Sequence, residues 1–297
     1  MSFVQRLLTV TFQLATGTFT GSQSNQVTLS RLRATARIAN AGAPSGSQLD
    51  LSVYGMSLEL MNQLSTLGMV VQLVPRNTVT VTAGDQTSGM GTVFVGTILN
   101  AWGDFGAAPE VPFRVQANSG IAELVAPVSP SSFQGSADVV TMLSGIATQI
   151  GYQFENNGMS GVKVSNPYLP GTALEQARRI ARSVANTMGY DDSDHVISIW
   201  PKSGGSRGGA VPLISPSTGM VGHPSFVAQG ISLKTVFNPS VKFMGKVQVQ
   251  GSQLTPANGT WAVFSLDHML DALMPHGEWS STLGCFNPNY SPPLPSK

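Results

Sequence analysis

Gly204-Gly-Ser206-Arg-Gly208 has the spacing of a nucleophile elbow and follows His195–Trp200, a run that reads as a strand. That chemistry needs a strained strand-to-helix turn, which presents the serine hydroxyl to a histidine beside backbone donors for an oxyanion. Here the next residues are Gly209-Ala-Val-Pro212, which cannot open the helix. The stretch Lys202–Gly209 therefore reads as a flexible linker, and an ester hydrolase built on Ser206 lacks its context. The four histidines, His195, His223, His268 and His276, are scattered and never paired one helical turn apart around a glutamate, as a zinc hydrolase would need. Asp191, Asp192 and Asp194 could offer oxygen ligands, but a calcium loop needs further spaced donors and a distant glutamate, so a solvated turn is expected.

The single cysteine, Cys285, rules out an intrachain disulfide and has no neighbour in sequence that would lower its pKa. Neither a dinucleotide fingerprint nor a phosphate-cradling Gly-Lys-Ser/Thr loop occurs. Two basic groups remain. Arg31, Arg33 and Arg37 are placed on one strand face, as a possible channel or interface stripe, and Arg178, Arg179 and Arg182 on the outer face of a helix. Solvated polar faces are the plainer reading of both. Trp102, Trp200, Trp261 and Trp279 sit near strand ends and read as core or interface anchors. No catalytic, cofactor-binding or metal-ligating residue emerges, so neither enzymatic activity nor a cofactor is expected.

The elements that carry these residues are mostly short strands. Leu8, Val10, Phe12 and Leu14 alternate with Thr9, Thr11 and Gln13, which is the period of a half-buried strand. Leu32, Ala34, Ala36 and Ile38 repeat it, Leu49–Tyr54 adds a third strand, and Thr78–Ala83 with Thr92–Asn100 forms a hairpin. A short helix between them runs from a Ser57 cap to a Gly68 stop. A comparable block returns late in the chain as Lys246–Gln250 and Thr260–Leu266, followed by a predicted helix at His268–Met274. Between the blocks lie two helices. One is capped by Ser136 and stopped by Gly151, and the other opens on the capping box Thr172-Ala-Leu-Glu175 and runs to Gly189.

The expected fold is α+β and mainly β, with two β-barrel or sandwich modules flanking a small central α/β domain. Its predicted boundaries are 1–112, 113–204 and 205–297. Only 10% of the 297 residues are charged, against roughly a quarter in an ordinary soluble domain. With 16 basic and 15 acidic side chains the net charge is +1, so no global field recruits nucleic acid or anionic lipid. No stretch is long and apolar enough to span a bilayer, and no membrane insertion is expected. The N-terminus lacks the pattern of a secretory signal, from which folding in a cytoplasm is expected. A surface this poor in charge points to cover by other protein, as in a subunit of an assembly.

The order of blocks, together with Gly68-Met-Val-Val, Val81-Thr-Ala-Gly-Asp85, Val95-Gly-Thr-Ile98, Gly151-Tyr-Gln-Phe-Glu-Asn-Asn-Gly158, Asn166-Pro-Tyr-Leu-Pro-Gly171 and Ile214-Ser-Pro-Ser-Thr-Gly-Met-Val-Gly222, resembles the baseplate hub proteins of tailed, most of all contractile-tailed, bacteriophages. The resemblance implies that both β modules are related to the tail-tube fold. It implies a homotrimer, assembled in the host cytoplasm and resident in the virion baseplate, that matches a six-fold tail tube to a three-fold central spike. The implied partners are the tail tube protein, the central spike protein, baseplate wedge proteins, and the tape measure protein and transiting DNA in the lumen. The chain carries no lysozyme-like domain and no long repetitive β-helical tail, so piercing and wall degradation are expected of separate proteins, unlike type VI secretion spikes that join hub and spike in one chain. The Pro-rich tail Asn287–Lys297 is a candidate strap onto a neighbour. The alternative is a tail module that binds host-surface carbohydrate through exposed aromatics such as Trp261 and Trp279.

Overall fold

The computed structural model describes residues 5–42, 45–66, 77–85, 89–203 and 205–288. The N-terminal block contains β1 (Leu7–Gln13), β2 (Gln26–Ser30), β3 (Ala34–Asn40), β4 (Ser47–Tyr54), helix α1 (Leu58–Leu64), β5 (Thr78–Asp85), β6 (Gly89–Gly103) and β7 (Pro112–Asn118). The alternation seen in the sequence sets their faces: Leu8, Val10 and Phe12 of β1 are buried, while Thr9 and Thr11 face outward. Phe12 meets Phe113 edge to face at 6.3 Å in a core with Leu49, Leu51, Phe94 and Ile98. Ser57 caps α1 as expected, but the helix ends at Ser65; Gly68 lies outside the described residues, as does the 86–88 tip of the β5–β6 hairpin.

The central unit holds α2 (Ile121–Val125), β8 (Ser131–Ser132), β9 (Ser136–Asp138), α3 (Val139–Ile150), β10 (Gln153–Asn156), β11 (Lys163–Ser165), β12 (Tyr168–Leu169), α4 (Ala173–Ser183), β13 (Met188–Asp191) and β14 (Val196–Pro201). Strand β14 pairs in parallel with β10 and antiparallel with β13, and α3 and α4 pack against each other over this small sheet. The capping box at Thr172 and Glu175 forms, and Gly151 ends α3 in the left-handed region. Two boundaries differ from expectation. Asp138, not Ser136, caps α3, because the chain stays extended in the β9–β11 pair through Asp138 and the helix begins only at Val139, where the Asp138 carboxylate accepts from Thr141 N–H. Helix α4 stops at Ser183 rather than at Gly189, because Met188 and Gly189 are recruited to β13, where Gly189 underlies the Trp200 indole. A Cβ at Gly189 would sit 2.1 Å from Trp200 Nε1. Gly189→Ala should therefore lower the stability of the central unit by about 1–3 kcal/mol in chemical denaturation, and an unchanged midpoint would contradict this packing.

The C-terminal block comprises β15 (Leu213–Ile214), β16 (Met220–Val227), β17 (Gly230–Val236), β18 (Lys246–Val249), β19 (Gly259–Ala272) and β20 (Trp279–Phe286) around Ile231, Val247, Val249, Val263 and Leu283. The expected helix at His268–Met274 is instead the second half of β19. Leu266, His268, Leu270 and Ala272 recur at period two, and the last three stand opposite Ile38, Ala36 and Ala34 of β3. The waiting edge of β3 outweighs the helical propensity of Leu, Met and Ala.

Strand β19 thereby belongs to both β blocks. Its first residues pair with β18, its last with β3, and β20 runs along its other side. One sheet results, in the order β16-β17-β20-β19-β3-β4-β7-β6-β5-β1-β2, with β18 and β15 as a side branch. Because β7 is held between β4 and β6, this sheet's first block runs on through Asn118. The fold is mainly β with a small α/β unit, and the sheet remains open, with no closed barrel among the described residues.

Candidate functional site

The residues singled out for chemistry are dispersed. Ser206 follows a strand but opens no helix, and its neighbour Arg207 is buried. Cys285 is a core side chain of β20 whose thiol is pushed up to about 12 by burial, far from the thiolate a nucleophile needs. His268 is buried, shares a 2.8 Å hydrogen bond between Nδ1 and Ser281 Oγ, and is pushed down to about 4 by burial, which keeps it neutral. His195 stacks on Tyr152 at 4.7 Å, and His223 is exposed. Among the described residues no group of three or more His, Cys, Asp or Glu is arranged to hold a metal ion.

The arginine groups also separate. Arg31 lies in a turn with φ 59°, outside β3. Arg33 pairs with Glu110 at 2.6 Å and covers the Tyr54 ring at 3.8 Å. Arg37 makes a two-pronged bond to Asp271 of β19, so the expected stripe is divided among separate local partners. On α4, Arg179 and Arg182 are exposed, but Arg178 turns inward and clasps Asp192 with Nε at 2.6 Å and Nη2 at 3.1 Å. Trp200, Trp261 and Trp279 are buried, which removes Trp261 and Trp279 as a surface platform for sugar.

The acidic turn is where the structure departs furthest from the solvated loop expected. Asp191, Asp192 and Ser193 are buried, and Asp194 and His195 are held in the left-handed region with φ of 54° and 60°. The turn is pressed against β6, and Asn40 of β3 donates to Asp194 Oδ2 at 3.4 Å. The supposed linker closes the cluster. Arg207 donates from Nε and Nη2 to Glu155 of β10 at 2.8 and 3.3 Å, and its Nη1 lies 3.8 Å from Asp191. Its backbone N–H donates to Met244 and that of Gly208 to Asn157. Lys242 stands 3.9 Å from the outer oxygen of Glu155.

Arg207 thus binds the central unit to the C-terminal block, and Asp194 docks it on the N-terminal sheet. Beside them opens a cleft of about 210 Å³ whose lining includes Asn40, Asp194, Lys242, Phe237 and Phe243. Burial by itself would raise Glu155, but the hydrogen bonds from Arg207 and Ser198 hold it below the usual carboxylate range. Asp191 is pushed up to about 6 by burial, against the pull of Ser193 and Arg207. Asp194 is pushed up to about 7 by burial and by the charge of Asp191, and its Oδ1 has no hydrogen-bond partner. This arrangement is a joint between units; nothing in it presents a nucleophile to solvent. Arg207, Glu155 and Asn40 were missed in the sequence because no local motif marks a partner that lies many residues away.

The two ends of the large sheet are the other unusual surface. Among the described residues, strands β2 and β16 each have a partner on one side only, and neither contains an Asp, Glu, Lys or Arg. Strand β16 exposes Val221, Phe226 and Val227, with Phe226 57% exposed. Such edges in a monomer are usually guarded by charge, proline or a bulge; β16 has Pro224 and a bulge between Val221 and Ser225 but no charge, and β2 has none of these.

A family model described as Baseplate hub gp41 matches residues 7–272. The chain belongs to this baseplate hub family. It is a structural protein of the phage tail baseplate, and so a component of the virion tail that contacts other tail proteins. Solved structures share the fold at low identity. The 43 kDa tail protein of prophage MuSo2 from Shewanella oneidensis is similar with a TM-score of 0.60 at 10% identity, over 94% of this chain and 97% of that one. A tail protein from Neisseria meningitidis MC58 gives 0.59 at 10% identity, over 94% and 96%. A chain of a PdpA–VgrG complex gives 0.52 at 9% identity, over 99% of this chain and 67% of that one. No curated protein matches the sequence. No described helix of this hub family member is long and apolar enough to cross a membrane.

Proposed function

We propose that the protein forms a homotrimeric ring at the centre of the baseplate, joins the six-fold tail tube to the three-fold central spike, and encloses the channel for the tape measure protein and DNA. The observation that carries this reading is the pair of unlike, uncharged sheet edges. An open sheet with a different strand at each end is completed head to tail by further copies, and a head-to-tail contact that closes gives a cyclic ring. Two β blocks sharing β19 supply two tube-like modules per chain, hence six in a trimer. The outward faces of β1, β2 and β5 are lined by Thr9, Thr11, Thr28, Thr80 and Thr82 rather than by charge, which suits a surface packed against protein or facing a passing chain. Baseplate wedge proteins would cover the periphery, and the activity of the protein is assembly itself, without catalysis.

Native mass measurement tests the ring. The expected result is a species three times the mass of the 31.1 kDa chain, alone or once the spike protein is added. Phe226→Asp should return it to single chains, because a carboxylate would be carried into the edge contact. A monomer in both wild-type samples would overturn the proposal.

A further inference from the structure

A second apolar surface lies at the far end of the N-terminal sheet, where β3 begins and β4 ends. There α1 and the loop before β7 enclose a groove of about 380 Å³ lined by Tyr54, Met56, Leu58, Met61, Phe105 and Val111. Leu58 and Phe105 are each 59% exposed; among the described large apolar side chains only Tyr168 is more so. Met56 and Met61 are buried beneath them, and Pro109 closes one side. Phe105 packs over Gly103, where a Cβ would lie 2.9 Å from its ring, so the exposed aromatic has a firm floor. Arg33, stacked on Tyr54 and paired with Glu110, stiffens the rim and brings polar donors beside the apolar wall.

An aromatic-lined groove with a donor at its rim suits an extended proline-rich strand, whose rings lie flat on the wall while its free carbonyls accept hydrogen bonds. This chain carries one such segment, Pro292-Pro-Leu-Pro295, within residues 289–297 that lie outside the described ones. Where β20 ends decides whose segment can arrive. Trp279 of β20 stands opposite Leu270, near the groove end of the sheet, and Phe286 stands opposite Ala262, at the other end. From Phe286 to the row of Trp279, Leu270, Ala36 and Leu51 is roughly 24 Å, Tyr54 at the groove lies three residues or about 10 Å further, and three strand spacings from β20 to β4 add an offset of about 14 Å, a separation of about 37 Å. Nine residues lead from Phe286 to Pro295 at the far end of the segment and span at most about 32 Å. The segment therefore falls short of the groove on its own chain.

We propose that the groove between α1 and the loop before β7 receives the Pro292–Pro295 segment of a second copy, as a strap between neighbouring subunits. The donor being another copy rests on the self-association proposed above; the groove and its ligand chemistry do not.

Two measurements on the full chain test it. In the first, chains carrying photo-leucine in place of Leu294 are mixed with equal amounts of isotopically heavy chains and irradiated. Cross-links from position 294 to heavy peptides containing Leu58 or Phe105 are expected; cross-links confined to the same chain, or to another surface, would overturn the strap. In the second, a fluorescent peptide of residues 287–297 is titrated onto single chains, where the groove is open. Saturable binding is expected, weakened about five-fold or more by Phe105→Ala, the loss of roughly 1 kcal/mol of contact, and left intact by Phe133→Ala. Absence of saturable binding to single chains overturns the proposal. A protein that stays monomeric yet binds the peptide through Phe105 would sink the ring and keep the groove, whereas a trimer with no contact at the groove would do the reverse.

Discussion

Arg207→Ala is expected to cost about 3–5 kcal/mol of stability at pH 8, the range found when one member of a buried ion cluster is removed. The guanidinium is the firm cation among three carboxylates, those of Glu155, Asp191 and Asp194, and only 8% of its side chain reaches solvent. Its loss leaves Glu155 with Ser198 and the distant Lys242 as partners, and leaves Asp191 without its nearest cation. Urea denaturation followed by tryptophan fluorescence reports it, because Trp200 sits in β14 beside Glu155's partner strand residues. The loss should shrink as the pH is lowered toward 5, where Asp191 and Asp194 take up protons. It should also be smaller when Asp194→Asn is already present, by a coupling of about 1 kcal/mol or more. A change under about 1 kcal/mol at pH 8 would mean that the segment is the loose linker its composition suggests.

Asp194→Asn should act in the opposite direction and raise stability at pH 8. Folding raises this carboxyl from 3.8 to about 7, so the folded chain holds the proton more tightly than the unfolded one. Its favourable contribution is complete below about pH 4 and is lost as the pH rises through 7, with Asp191 adding a smaller loss of the same sign up to about 6. An amide removes the buried charge, keeps a polar group facing Ser47, and is at ease with φ of 54°. The expected gain is on the order of 2–4 kcal/mol at pH 8, fading to nothing near pH 4. His268 works the other way. Its contribution is present above 6.5 and lost as the pH falls toward 4, so over the same interval it offsets part of the aspartate effect in the wild type. Comparing variant with wild type at each pH cancels the histidine. An equal effect at both ends of the range would show that charge at position 194 is not what matters.

Local signals specify the elements in which they lie. The alternation at Leu8, Val10 and Phe12 needs only the period of a strand, and the Thr172 box and the Gly151 stop need only neighbours within one helical turn. The failures share one cause. His268–Ala272 has a helical composition, but β3 offers it an open edge from the other end of the chain, and all five of its residues pair there. Lys202–Gly209 has the composition of a linker, yet one arginine within it finds Glu155, 52 residues earlier. The three aspartates look solvated because nothing beside them in sequence is cationic, whereas Arg178 and Arg207 reach them through the fold.

By itself, then, the sequence determined the mainly β character, the two helices of the central unit and the scarcity of surface charge that marks an assembling subunit, because these depend on side-chain period, capping and composition. It also carried the resemblance to the baseplate hub family, whose model matches residues 7–272. Only the tertiary structure decided that β19 is shared by both β blocks, that Arg207 and Asp194 pin the central unit between them, and that the sheet ends in two uncharged edges. Those outcomes depend on contacts such as Asn40 with Asp194, 154 residues apart, and Arg37 with Asp271, 234 apart. Periodicity says which face of an element is buried, but the partner it is buried against is chosen only when distant segments compete for the same edge.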